Sequence, residues 1–195
     1  MRYPLDLTFK LVAINPQVAV TDAGGELLLY IQQKAFRLRE DVRVFADRER
    51  TRLLYTLRAN RVLDLRVAYQ MTDADGRPFG ALRREGLRSI WKSRYDVEGA
   101  DGTPAFHIQE DNPWVKVLDT FLGELPFVGA LTGYFLHPSY TATRPDGMPA
   151  FRLTKQPAFF EGKFRLDRLV DLPPEDEVRG LLGLLMMVML ERVRG

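Results

Sequence analysis

The chain has 195 residues, 46% hydrophobic and 28% charged, a composition that supports a sizeable core and excludes an intrinsically disordered chain. Its formal net charge is +2, which excludes a strong overall field drawing in nucleic acid or membrane. With no cysteine, disulfide frameworks, thiolate metal sites, iron–sulfur ligation and cysteine nucleophiles are excluded, and a reducing cytoplasm is expected.

In chain order, Met1-Arg2-Tyr3-Pro4-Leu5-Asp6 is charged at once and carries no long apolar run, so no secretory leader is expected. Period-two alternation follows. Leu27, Leu29 and Ile31 alternate with Tyr30 and Gln32, and Phe36 and Leu38 with Arg37 and Arg39. Leu53, Tyr55 and Leu57 alternate with Thr56 and Arg58; Leu63, Leu65, Val67 and Tyr69 alternate with Asp64 and Arg66. A period of two turns one face to a core and the other to water, which predicts strands. Further strands are expected at 87–97, 105–109, 140–144, 150–155 and 159–166.

A turn recurs between these segments. Asp22-Ala23-Gly24-Gly25, Asp73-Ala74-Asp75-Gly76, Asp101-Gly102 and Asp146-Gly147 each close one apolar run and open another. Asp-Gly supplies the positive φ that tight hairpins require. The last three turns continue as Arg77-Pro78-Phe79, Thr103-Pro104-Ala105-Phe106 and Met148-Pro149-Ala150-Phe151, an internal hairpin repeat. Repeated hairpins build an antiparallel meander, and a long meander must close, stack or cover its edges.

Two regions break this pattern. Asn112-Pro113-Trp114 with Val115, Leu118, Phe121 and Leu122 predicts a short amphipathic helix. At the other, Pro173-Pro174-Glu175-Asp176-Glu177 reads as a helix start, with acids in the first turn, and the helix runs over 175–192. Residues 181–190 are apolar on every face. They number about half of the roughly 20 residues that a membrane-spanning helix needs, so no transmembrane segment is expected. A helix apolar all round is enclosed by protein, and a meander closing into a barrel around it provides the enclosure. Packing between layers or at a dimer interface is the alternative. Gly180 and Gly183 would admit the wall closely, and three methionines would fill irregular gaps.

The units Val20-Thr21-Asp22-Ala23-Gly24-Gly25-Glu26-Leu27-Leu28-Leu29-Tyr30, Leu54-Tyr55-Thr56-Leu57-Arg58, Thr72-Asp73-Ala74-Asp75-Gly76-Arg77-Pro78-Phe79-Gly80 and Trp91-Lys92-Ser93-Arg94-Tyr95-Asp96-Val97, taken in this order, resemble the tubby C-terminal-like superfamily. The nearer likeness is to its LURP-one-related and phospholipid scramblase branch, over about residues 3–190. The resemblance implies a mainly β fold: a closed antiparallel barrel of about 12 strands around a buried hydrophobic C-terminal helix, forming one domain over 1–195. It implies no catalysis and no cofactor. Tubby-like members bind phosphoinositide head groups through basic residues, and scramblase-like members are linked to phospholipid movement and calcium. This chain lacks a palmitoylated cysteine-rich segment, so stable membrane attachment is not expected. The region matching the proposed calcium segment holds Asp167, Asp171, Glu175, Asp176 and Glu177 without the alternating spacing and turn glycine of a calcium loop. Helix-start acids account for it, and no metal is expected there.

His107 and His137 form no spaced metal or nucleophile pattern, and Gly123, Gly129 and Gly133 form no phosphate-cradling motif. Residues 125–134 are apolar and read either as a core-crossing connection or as a hydrophobic lip. Most of the 28 basic residues are arginine, whose planar fork suits phosphate and carboxylate, although genomic base composition yields the same bias. Arg48, Arg50 and Arg52 share one face if extended, or sit on a hairpin tip. The candidate ligand-binding patch is Arg83, Arg84, Arg88, Lys92 and Arg94, with Arg88, Lys92 and Arg94 on the strand face opposite Leu87, Trp91, Tyr95 and Val97. Nucleic acid is not expected, since the charge is low and no recognition motif is present.

Two readings remain. One is a cytoplasmic, non-enzymatic module, peripheral at the membrane, that binds phospholipid or phosphoinositide-like anionic head groups. The other is a protein-interaction or structural barrel without lipid ligand. The first expects the five cations to converge unpaired, the second expects them dispersed or neutralised. An enzyme would need a histidine in a concave pocket with a polar partner.

Overall fold

The computed structural model describes residues 1–10, 17–32, 41–60, 68–84, 94–111, 138–158 and 162–192. Twelve strands lie in them: β1 (Leu5–Lys10), β2 (Gln17–Thr21), β3 (Leu27–Gln32), β4 (Val42–Phe45), β5 (Leu53–Asn60), β6 (Ala68–Asp73), β7 (Pro78–Arg84), β8 (Arg94–Gly99), β9 (Pro104–Glu110), β10 (Ser139–Thr143), β11 (Pro149–Gln156) and β12 (Gly162–Arg168). Each pairs antiparallel with its neighbours in sequence. β1 closes the ring against β12, with Leu7 opposite Phe164 on one side and Val20 on the other. The meander therefore has no free edge, the outcome that best removes the hazard of unpaired backbone.

Alternation sets the phase of each wall strand. On β1, Leu5, Leu7 and Phe9 point inward and are at most 2% exposed, while Asp6 and Lys10 face solvent. The Asp-Gly turns explain how the strands return. Gly25, Gly76, Gly102 and Gly147 hold φ between 80° and 85°. In each turn the preceding aspartate folds back onto the backbone: Asp73 Oδ1 accepts the N–H groups of Asp75 and Arg77 at 2.9 and 2.8 Å. Asp22, Asp101 and Asp146 do the same in theirs. All these turns, with the β4–β5 turn, lie at one end of the barrel, here the turn end. Lys10, Gln17, Gln32, Arg84, Arg94, Glu110 and Gln156 mark the opposite end.

The helix α1 (Pro174–Arg192) enters at the turn end and runs up the barrel axis. Pro174 occupies the first turn, where its missing N–H is no loss, and Glu175, Asp176 and Glu177 face the positive end of the helix dipole. Residues 180–189 are all buried, whichever way they point. At about 1.5–3 kcal/mol for each fully buried large apolar side chain, this helix is a major source of core stability. The wall comes close at its glycines: a Cβ on Gly180 would lie 2.4 Å from the Phe151 ring, and one on Gly183 would lie 2.5 Å from Val97 Cγ2. Among the described residues, no helix is long and apolar enough to cross a membrane.

Candidate functional site

Three of the five cations of the candidate patch can be located. Arg83 and Arg84 end β7, and Arg94 begins β8, at the end away from the tight turns; Arg84 lies opposite Tyr95 in the β7–β8 ladder. Consecutive strand residues face opposite ways. Arg83 therefore points outward with Arg94, while Arg84 shares the inward phase of Gly80 and Leu82. Arg83 Nε lies 3.1 Å from a Glu98 carboxylate oxygen. Arg94 is exposed and has no ion-pair partner among the described residues. Arg84 sits with its guanidinium 5.8 Å from the Tyr95 ring centroid. The phase of Leu82 and Arg84 is a sequence signal that separates Arg84 from Arg83. Arg88 and Lys92 lie outside the described residues, as do the expected helix after Asn112, the segment 125–134, its neighbouring glycines, and His137.

Tyr95 ties this rim to the helix. Its hydroxyl donates to Glu191 Oε1 at 2.6 Å near the end of α1. Burial, reinforced by the Glu191 carboxylate, pushes the phenol far above its ordinary range, so it remains a neutral donor. Sequence patterning did not pair these residues, because 96 positions separate them.

At the turn end, two arginines clasp the start of α1. Arg168 bonds Glu177, lies 3.1 Å from Asp171 and stacks on Tyr3. Arg179 donates to Phe79 O at 2.8 Å and to Asp176 and Glu175 at 2.6 and 2.7 Å. With Asp167 held by Arg165, every acid of 167–177 faces an arginine. Among the described residues, no group of three or more His, Asp or Glu is arranged to hold a metal.

His107 lies on the outer face of β9, more than half exposed, with Nδ1 2.6 Å from Asp96 Oδ1. It is not among the residues lining the open cavity of about 340 Å³ that lies at the turn end beside Thr103, Arg144, Asp146, Asp176 and Arg179. Its charged groups already pair with one another, Arg144 with Asp146 and Arg179 with Asp176. Arg48, Arg50 and Arg52 occupy the β4–β5 turn, so that segment is a hairpin tip rather than an extended face.

Comparisons with known proteins agree with this architecture. A family model described as LURP-one-related matches residues 27–167. The fold is similar to the X-ray structure of an Arabidopsis thaliana protein, with a TM-score of 0.51 at 14% identity, covering 100% of this chain and 94% of that one. A search of curated proteins finds no match.

Proposed function

From a chain that belongs to the LURP-one-related family, we propose a non-enzymatic binding module, one domain over 1–195, whose rim at β7 and β8 takes phospholipid or phosphoinositide-like anionic head groups. It would work in the cytoplasm, peripheral at the membrane, without metal or cofactor. The observation that carries this reading is Arg94. It is exposed on the outer face at the end of the barrel away from the tight turns, and has no ion-pair partner among the described residues. In sequence it directly follows the segment that holds Arg88 and Lys92. Arg83 contributes less charge while Glu98 lies against it, and Arg84 supports the rim from within through Tyr95.

A cation close to an anionic bilayer is worth about 1 kcal/mol, or about fivefold in partitioning. Co-sedimentation with neutral and anionic vesicles, at low and moderate salt, tests the reading. Binding should require anionic lipid and weaken with salt. It should fall about fivefold in Arg94→Ala and vanish when Arg88 and Lys92 are also replaced. Glu98→Gln, which frees Arg83, should strengthen it. No binding to any vesicle would sink the reading.

A second reading, a protein-interaction barrel without lipid ligand, draws support from the same wall. Arg83 with Glu98 partly neutralises the outer face of β7–β8, and His107 is hydrogen-bonded to Asp96 on the neighbouring strands. It predicts no vesicle binding and capture of a protein partner that is lost on substitutions at this rim.

A further inference from the structure

We propose that the turn joining β4 to β5 is a separate binding site for a phosphate group. It lies at the turn end, away from the rim of Arg83 and Arg94. Its sequence is Ala46-Asp47-Arg48-Glu49-Arg50-Thr51-Arg52, three arginines against two acids.

The first of those acids is engaged elsewhere. Asp47 Oδ1 accepts the N–H of Thr51 and Oδ2 that of Arg52, each at 2.9 Å. The turn is closed by Ala46 N–H donating to Arg52 O at 2.9 Å. Asp47 thus organises the backbone and leaves the guanidinium groups without it. Arg48, Arg50 and Arg52 are exposed and have no ion-pair partner among the described residues. Acids of the two neighbouring turns are held by their own arginines, Asp22 and Glu26 by Arg2, Asp73 and Asp75 by Arg77. Glu49 is therefore the nearest acid in sequence left to set against three cations.

Arg48 is also positioned. Its guanidinium lies 5.7 Å from the centroid of Tyr30, a ring only 4% exposed on the outer face of β3. A guanidinium held over a ring keeps its N–H edge available for an anion. Tyr30 pairs with Phe45 across β3 and β4, so Arg43, two residues on and exposed, shares this outer face at a diagonal of about 7–8 Å between backbones. The charge of Arg43 also reaches Asp41, whose carboxylate is held at 2.6 Å by Arg58.

Arg50 supplies an independent observation. It has φ 61°, whereas the other positive-φ positions of the described residues are glycines 25, 76, 102 and 147. Glycine would remove the strain at this position, yet an arginine stands there, which points to a use for its side chain. Several forks around one tip suit the three oxygens of a phosphate monoester better than a carboxylate, which one fork satisfies. A lipid head group and a soluble phosphorylated molecule both carry this chemistry.

The test is calorimetric titration of the full chain with inorganic pyrophosphate at low salt. Arg48→Ala and Arg50→Gly should each weaken binding about tenfold, the scale of one charge-assisted contact. Arg48→Lys should not restore it, since an ammonium cannot present the fork. Lys163→Ala, the same charge change on the outer face of β12, should leave it unaltered. Arg50→Gly should also raise the Tm, so that weaker binding cannot be ascribed to misfolding. Equal weakening in Lys163→Ala, unchanged binding in Arg50→Gly, or no pyrophosphate binding would overturn the proposal. Vesicles containing phosphatidic acid then assign the source. Loss of vesicle binding in Arg48→Ala identifies a lipid phosphate; loss with pyrophosphate alone identifies a soluble one. Failure of Arg94→Ala to affect vesicles bears only on the β7–β8 rim.

Discussion

Replacing Gly183 by alanine separates an enclosed helix from an exposed one by the sign of its effect. In a solvated helix the change stabilises by about 0.8–1 kcal/mol, because alanine is the better helix former. Here the added Cβ would lie 2.5 Å from Val97 Cγ2 and 3.5 Å from Ile108 Cδ1, against about 3.5–4.0 Å for relaxed carbon contacts. Val97 cannot retreat easily. It is β-branched, and its strand is paired on both sides, with Leu82 and with Phe106. Overpacking of this kind costs about 1–3 kcal/mol. It offsets or exceeds the helix gain and leaves a net loss of up to about 2 kcal/mol. Val97→Ala removes the opposing methyl groups, so the double variant should recover the overpacking cost as a coupling of about 1–3 kcal/mol. Urea denaturation of the four proteins measures it. A stabilised Gly183→Ala whose effect simply adds to that of Val97→Ala would refute the enclosure of the helix by the wall.

Three further outcomes follow from the same geometry. Tyr95→Phe removes the hydrogen bond to Glu191 and should destabilise by about 1.5–3 kcal/mol in urea; an unchanged midpoint would mean that bond carries no weight. Gly102→Ala should cost about 1–2 kcal/mol through φ 80° alone, since nothing lies within 4 Å of the new Cβ, and an unaltered Tm would count against the turn geometry. Asp22 is held below the usual carboxylate range by its hydrogen bond from Arg2 and by the N–H groups of Glu26 and Gly24. A depressed folded value makes its contribution complete above about pH 4, and the contribution is lost as the pH falls through that value. Asp22→Asn should therefore lower the Tm at neutral pH, with the gap closing in acid; a gap constant down to pH 2 would contradict this.

The fold was legible where alternation and turn chemistry coincide. β3, β5, β9, β10 and β11 fall at or near the expected segments, and one glycine in each of the four turns, Gly25, Gly76, Gly102 and Gly147, holds the expected positive φ. The C-terminal helix was legible because no globular surface accommodates ten consecutive apolar residues on a helix; it begins at Pro174, one residue before the expected 175. β1 and β2 went unassigned although Leu5, Leu7 and Phe9 alternate with Asp6, Thr8 and Lys10. β4 is only four residues long, and β7 carries Gly80 on its inward face, where the pattern needs bulk. Tertiary register was not legible at all. Nothing local tells Arg83 that Glu98 will stand beside it, or Arg168 that Glu177 will, since both pairs depend on which strands and helix end become neighbours.

The helix lies inside the closed barrel, and the β7–β8 rim is proposed to meet anionic lipid. Native-state hydrogen exchange, followed with and without anionic vesicles, tests both together. The account predicts that amides of residues 181–188 exchange only through global unfolding in either condition, while protection rises at the ends of β7 and β8 when vesicles are present. Rapid exchange of the helix on vesicles, with no change at β7 and β8, would contradict it, because the helix would then have left the barrel and the rim would not be the contact.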